Sequence, residues 1–198
     1  LTQQTRYPWD GHVRITIEPP ADDVTFALRV RVPGWAQGLP VPSDLYDYID
    51  AAVPAVALRV NGASVDLKIE TGMAVIRRAW RRGDWVELNL PMVVRRVVAH
   101  ESVTEHAGRV AMERGPIVYC VETADNDGSV ANLILPDGAA ITAEHRPNLL
   151  GGLTVLRCEE PALTAIPYYA WSHRGAGAMA VWLSRHMGVS PVGVNRSS

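Results

Sequence analysis

The residues able to do chemistry in this sequence are a few acids, two thiols and six histidines, and their spacing decides what chemistry is open. Asp10, Asp44, Glu113 and Glu122 are the candidate acids. Two such carboxyls flanking a scissile bond would serve glycoside hydrolysis, but nothing in the spacing brings any two together. Glu113-Arg114 and Glu159-Glu160 read more simply as solvated or salt-bridged surface. Cys120 and Cys158 each lie within an apolar strand-like run, and two cysteines make no disulfide framework, so buried free thiols are expected. Neither is spaced with other ligands as a zinc site requires. His12, His100, His106, His145, His173 and His186 are scattered singly, which gives no support to a nucleophile–histidine–acid triad. No catalytic, substrate-binding or metal-ligating residue is assigned, and no cofactor is expected in this chain.

Six tryptophans, Trp9, Trp35, Trp80, Trp85, Trp171 and Trp182, are many for this length. Exposed indoles stack on sugar rings, whereas buried ones anchor cores or domain interfaces, and the second role is the commoner. Trp9 and Trp35, each beside a proline or glycine turn, are the two expected to face something other than their own core. Arg82-Gly83-Asp84 spells an integrin-type tripeptide but reads as a hairpin turn between two strands. Asn195-Arg196-Ser197 meets the glycosylation sequon, a pattern too common to carry weight.

The elements that would position these residues are strands. In Val24–Val32 every even position is apolar, while Arg29 and Arg31 point the other way, and Pro33-Gly34 ends the run. Val56, Leu58 and Val60 repeat the alternation. Asn61-Gly62 then supplies the positive φ angles of a type I′ turn, and Val65, Leu67 and Ile69 return. Met73–Trp80 and Trp85–Leu90 read as a further hairpin, followed by an apolar strand at Val93–Ala99. More strands are expected at 13–17, 108–114, 116–122, 130–135, 153–158, 163–169 and 178–183. Helix is scarce. Ser43–Val53 has an N-cap serine with Leu45, Tyr48, Ile49 and Ala52 on one side, and Thr142–Leu150 has room for a turn or two before Gly151-Gly152. About a dozen short strands with frequent turns predict an all-β fold of two antiparallel β-sandwich, jelly-roll-like units with minor helical connectors. The expected division is 1–103 and 104–184, with a loosely ordered tail at 185–198.

With 198 residues and 47% hydrophobic composition, either unit has enough material for a core. A net charge of −2 gives no electrostatic reason to expect nucleic acid or an anionic membrane as partner. All the basic residues except Lys68 are arginine, which reads as base composition before any binding role. No apolar run is long enough to span a bilayer, so a soluble chain is expected, with the cytoplasm slightly favoured. The sequence opens on Leu1 and a polar strand-like stretch, as would a piece of something longer.

Several strings go beyond generic strand pattern. Thr5-Arg6-Tyr7-Pro8-Trp9-Asp10-Gly11 comes first, then Leu28-Arg29-Val30-Arg31-Val32-Pro33-Gly34-Trp35-Ala36, Val41-Pro42-Ser43-Asp44-Leu45-Tyr46, Val60-Asn61-Gly62 and Trp80-Arg81-Arg82-Gly83-Asp84. The second half adds Gly108-Arg109-Val110-Ala111-Met112-Glu113-Arg114-Gly115-Pro116-Ile117-Val118-Tyr119-Cys120 and Ile166-Pro167-Tyr168-Tyr169-Ala170-Trp171. In this order, up to about Leu183, they resemble the C-terminal region of glycoside hydrolase family 127, the β-L-arabinofuranosidases. The resemblance implies a parent with an (α/α)6 barrel followed by two β-sandwiches. It also implies retaining release of L-arabinofuranose, with a zinc-bound cysteine nucleophile and a glutamate acid/base in the barrel. No family catalytic motif maps onto this chain, and Cys120 and Cys158 match none of the zinc-binding cysteines.

The expected role is therefore a non-catalytic β-sandwich portion, inactive alone, that supports a catalytic barrel of the same parent or a homodimer contact. The alternative is a carbohydrate-binding module built on exposed tryptophans. Ser43–Val53 is the segment expected to reach a neighbouring domain, since long connections are often functional. The resemblance also implies that the last strand, near 178–183, returns to the first sandwich.

Overall fold

The computed structural model describes residues 1–50, 54–127 and 130–186. These form two units: Leu1–His100 with Glu113–Ile117, and Glu101–Met112 with the chain from Val118 onward. The fold is all-β. Among the described residues the only helical elements are 3-10 turns of three or four residues, and no helix is long and apolar enough to cross a membrane.

The strands of the first unit are β1 (Thr2–Thr5), β2 (His12–Thr16), β3 (Val24–Arg31), β4 (Tyr46–Tyr48), β5 (Ala57–Val60), β6 (Ala63–Ser64), β7 (Ile69–Glu70), β8 (Met73–Trp80), β9 (Trp85–Asn89) and β10 (Val94–Ala99). One antiparallel sheet has the order β1-β2-β9-β5-β6, and a second has the order β3-β8-β7. Alternation explains how they share a core. Val13, Leu58, Val60, Val86 and Leu88 point inward from the first sheet, and Leu28, Val30, Ala74 and Trp80 from the second. Trp80 is fully buried, and its indole N–H donates to the Phe26 carbonyl at 3.1 Å. β4 pairs antiparallel with β10, with Val97 opposite Tyr48.

Of the two hairpins expected here, one forms. Asn61 and Gly62 both take positive φ, 50° and 83°, as a type I′ turn demands, and β5 pairs with β6. The return is short. After Ser64 the chain leaves this sheet, and Ile69–Glu70 pairs with β8 in the other. The strands at Met73–Trp80 and Trp85–Leu90 exist but do not pair with each other: Trp80 lies opposite Val24, and Trp85 opposite Thr16. Arg81–Asp84 is therefore a crossing between sheets. It is fixed to the end of β2 by Ile17 N–H to Asp84 O (2.8 Å) and Gly83 N–H to Ile17 O (3.0 Å).

The helix expected over Ser43–Val53 is not present in its described part; Tyr46–Tyr48 is a strand, and residues 51–53 lie outside the described residues. Strand partners on β10 satisfy its backbone, a long-range gain that outweighs local helical spacing.

The strands of the second unit are β11 (Arg109–Arg114, whose last two residues count with the first unit), β12 (Ile117–Glu122), β13 (Ile134–Pro136), β14 (Ile141–Arg146), β15 (Leu153–Cys158), β16 (Leu163–Pro167), β17 (Met179–Ala180) and β18 (Leu183–His186). Their order is β13-β18-β11-β12-β16-β15-β14, with β17 also on β12. Val121, Val155, Leu156, Ala165 and Ile166 are fully buried. Two expectations are corrected here. Residues 141–146 form an edge strand paired along its full length with β15, not a helical turn. The segment near 178–183 does not return to the first unit: Ala180 pairs with Val121, and Leu183 with Val110. Leu183 is buried by that pairing, which fixes its side.

Candidate functional site

The four candidate acids fall in separate places, each explained by its neighbours. Asp10 closes the Arg6–Asp10 turn: it pairs with Arg6 Nε at 2.8 Å and accepts the His12 amide at 3.1 Å. Asp44 sits on an exposed segment. Glu122 is buried against Arg174 (2.5 Å), which also holds Asp125 at 2.5 Å, and it accepts the Ser172 amide at 2.7 Å. Those hydrogen bonds, Asp125 first, hold the Arg174 guanidinium well above its ordinary pKa. A half-buried cation between two carboxylates is a clasp for the loop 172–178.

Glu113 corrects the expectation of a solvated surface acid. Its carboxyl is half-buried beside the Tyr48 phenol, which hydrogen-bonds to it, and burial pushes its pKa up to about 7. Around it β4 and β10 build a cluster that the sequence reading missed. The Arg95 guanidinium lies 3.3 Å from the centroid of the Tyr48 ring, and Arg96 is held by Asp50, whose carboxylate takes both its backbone amide and, at 2.7 Å, its Nη1. Arg95 is only 8% exposed, its Nε and Nη1 have no hydrogen-bond partner among the described residues, and burial lowers its pKa while Asp50 opposes the shift. The available signal was the Arg95-Arg96 doublet within an apolar strand: alternate faces force one of the two inward. This cluster can hold a proton on Glu113 near neutral pH, but no second candidate acid stands across from it.

The tryptophans divide as their surroundings dictate. Trp80 is core, Trp85 lies under Arg14 (4.1 Å), and Trp182 stacks on His106 at 4.1 Å. Trp35 is partly buried and donates to the Tyr7 hydroxyl at 3.3 Å. Trp9 and Trp171 are the exposed pair, at 54% and 36%. Asp84 of the Arg-Gly-Asp string is engaged internally. Its carboxylate accepts Arg81 N–H and Asn61 Nδ2, both at 2.8 Å, and these bonds lower its pKa. The sequon at 195–197 lies outside the described residues.

Zinc chemistry does not fit the thiols. Cys120 and Cys158 are free and buried on β12 and β15, with β16 between them, and burial pushes Cys120 up to about 12, so it stays a protonated thiol. Among the described residues no three His, Cys, Asp or Glu converge as ligands. His12 lies 3.6 Å from Glu87, and His173 faces the Ala170 and Trp171 carbonyls.

Residues 1–92 match the GH127 middle domain of beta-L-arabinofuranosidase, and residues 94–184 match the glycoside hydrolase family 127 C-terminal domain. A non-reducing end beta-L-arabinofuranosidase of Bifidobacterium longum subsp. longum is 32% identical over an alignment covering 93% of this chain and 30% of that protein. A solved GH127 beta-arabinofuranosidase superposes with a TM-score of 0.85 at 38% identity, covering 93% of this chain and 31% of that one. The GH127 beta-L-arabinofuranosidase of Geobacillus stearothermophilus gives 0.80 at 38% identity, covering 93% and 30%. The chain thus spans under a third of the length of these relatives. Matched along nearly all its length by the two domain families and by these relatives, the chain belongs to glycoside hydrolase family 127, of which it carries the middle and C-terminal domains.

Proposed function

We propose that this chain is the non-catalytic β-sandwich portion of a β-L-arabinofuranosidase-like hydrolase, where it buttresses the catalytic domain of the same polypeptide or a contact between two copies. The observation that carries this reading is the commitment of three of the four candidate acids to the fold. Asp10 closes a turn, Glu122 anchors a loop through Arg174, and Glu113 lies half-buried against Tyr48. Around them each unit packs buried apolar clusters. The match to under a third of each relative supports the same conclusion. A zinc-bound nucleophile and its acid/base partner would then belong to the remainder of the polypeptide. Deleting residues 1–198 from the full-length protein should lower the melting temperature of the catalytic domain by several degrees; an unchanged melting temperature would refute a buttressing role.

A second reading, an arabinan-binding module, is favoured by one observation, the exposure of Trp9 and Trp171. Saturable quenching of tryptophan fluorescence by arabinooligosaccharides would support it, and a flat titration would remove it.

A further inference from the structure

Asn61-Gly62 and the Asp84 of Arg82-Gly83-Asp84 lie apart in sequence and meet beyond the end of β5. Asn61 Nδ2 donates to Asp84 Oδ1 at 2.8 Å, and Asn61 Oδ1 accepts the Trp85 amide at 2.9 Å. The Asn61 backbone amide donates to the Trp85 carbonyl at 3.0 Å. These partners fix which way the side-chain amide faces, because only its oxygen accepts a backbone N–H and only its nitrogen donates to a carboxylate. Asp84 is held in turn, its other oxygen accepting the Arg81 amide at 2.8 Å. The clamp ties the β5–β6 turn to the crossing between β8 and β9.

An asparagine followed by glycine carries its own reaction, and Asn61-Gly62 is the only such pair in the sequence. The Gly62 nitrogen, with no side chain beside it, can attack the carbonyl carbon of the Asn61 side chain. A C–N bond then closes a cyclic imide, and the side-chain nitrogen leaves as ammonia with the proton lost by Gly62. Water opens the imide at either carbonyl, giving aspartate or isoaspartate. No oxidant or cofactor takes part. Attack requires the side chain to be turned onto the following nitrogen. Asn61 and Gly62 are both exposed, so water has access to them. What holds the reaction off is direction: both polar atoms of the side chain are engaged by Asp84 and Trp85, and φ values of 50° and 83° set the turn.

We propose that Asn61 is a deamidation site which the native first unit holds closed and local unfolding opens, so that the modification is a one-way mark of that opening. The product does not fit the clamp. Aspartate at 61 sets a carboxylate against Asp84 where a donor stood. Hydrogen bonds from the Arg81 amide first and Asn61 second hold the Asp84 carboxyl below its ordinary pKa, and the reaction removes the second. Isoaspartate also lengthens the main chain within the turn by one methylene, against the Val60–Ala63 pairing. A chain modified while open therefore returns to a weaker fold, as when chemical change outpaces refolding.

Peptide mapping by mass spectrometry follows conversion of Asn61 in mildly alkaline buffer, with and without guanidinium chloride. Conversion should be at least about tenfold slower in the native chain than in the unfolded one. Equal rates would overturn the proposal. Asp84→Ala, its fold checked by circular dichroism, should raise the native rate toward the unfolded one; a folded variant that keeps the wild-type rate would equally overturn it. A third reading needs no substitution. Chain deamidated in denaturant and then refolded should unfold at a lower denaturant concentration than unmodified chain taken through the same cycle. An unchanged midpoint would refute the clamp as the gate.

Discussion

Replacing Glu113 by glutamine keeps an acceptor for the Tyr48 phenol and removes the only part of the side chain that titrates. In the folded chain burial raises this carboxyl from an ordinary 4.5 to about 7, so the folded state holds a proton that the unfolded state releases. Its stabilising contribution is therefore complete below pH 4.5 and is lost as the pH rises through about 7. At about 1.4 kcal/mol per unit the full swing is on the order of 3 kcal/mol. Residual solvent contact and phenol donation to the ionised form reduce it, leaving about 1–3 kcal/mol. Urea unfolding of the wild type and Glu113→Gln at pH 4.5, 6, 7 and 8.5 reads this directly, because the other titrating groups cancel in the difference. The variant should match the wild type at pH 4.5 and exceed it by about 1–3 kcal/mol at pH 8.5. Parallel pH profiles would refute the reasoning that Glu113 is a desolvated acid.

Trp80→Ala empties the centre of the first core and should destabilise by about 3–5 kcal/mol in the same assay, with the loss confined to hydrogen exchange in the first unit. Gly11→Ala drives a Cβ into the Leu90 carbonyl and should destabilise by about 2–3 kcal/mol or more, whereas Gly138→Ala, at a position without a left-handed φ, meets no atom and should be far milder. Arg174→Met strands Glu122 and Asp125 without their cation; about 3–5 kcal/mol should be lost at pH 7 and partly recovered on acidification, as followed by thermal melting across pH. Cys120 should resist thiol reagents at pH 8 in the native chain and react fully in denaturant, as a colorimetric thiol assay would show.

What the sequence revealed was what alternation encodes. β3 has one inward face, with Leu28 and Val30 buried and Arg29 and Arg31 exposed, and its period of two is visible without knowing any partner. β14 has almost no buried face, since Thr142–His145 are all exposed, so an edge strand produces no alternating signal and its polar residues resemble a helical turn. β4 misleads for a different reason. Leu45, Tyr48 and Ile49 have helical spacing, while the strand that claims Tyr48 lies some fifty residues away on β10, a pairing no local window contains. The crossing at Arg81–Asp84 has the composition of a hairpin turn, and only the non-local partners of Trp80 and Trp85 show that it changes sheets. Glu113 looked like surface because it stands beside a charged Arg114; its hydrogen-bond partner is Tyr48, again outside any local window.

Arabinose release is the most direct test of the central claim. The purified 1–198 chain and the full-length family 127 protein should be assayed side by side on an aryl β-L-arabinofuranoside. Turnover by the full-length protein with none above background for residues 1–198 is the predicted result; turnover by the 1–198 chain itself would contradict the account.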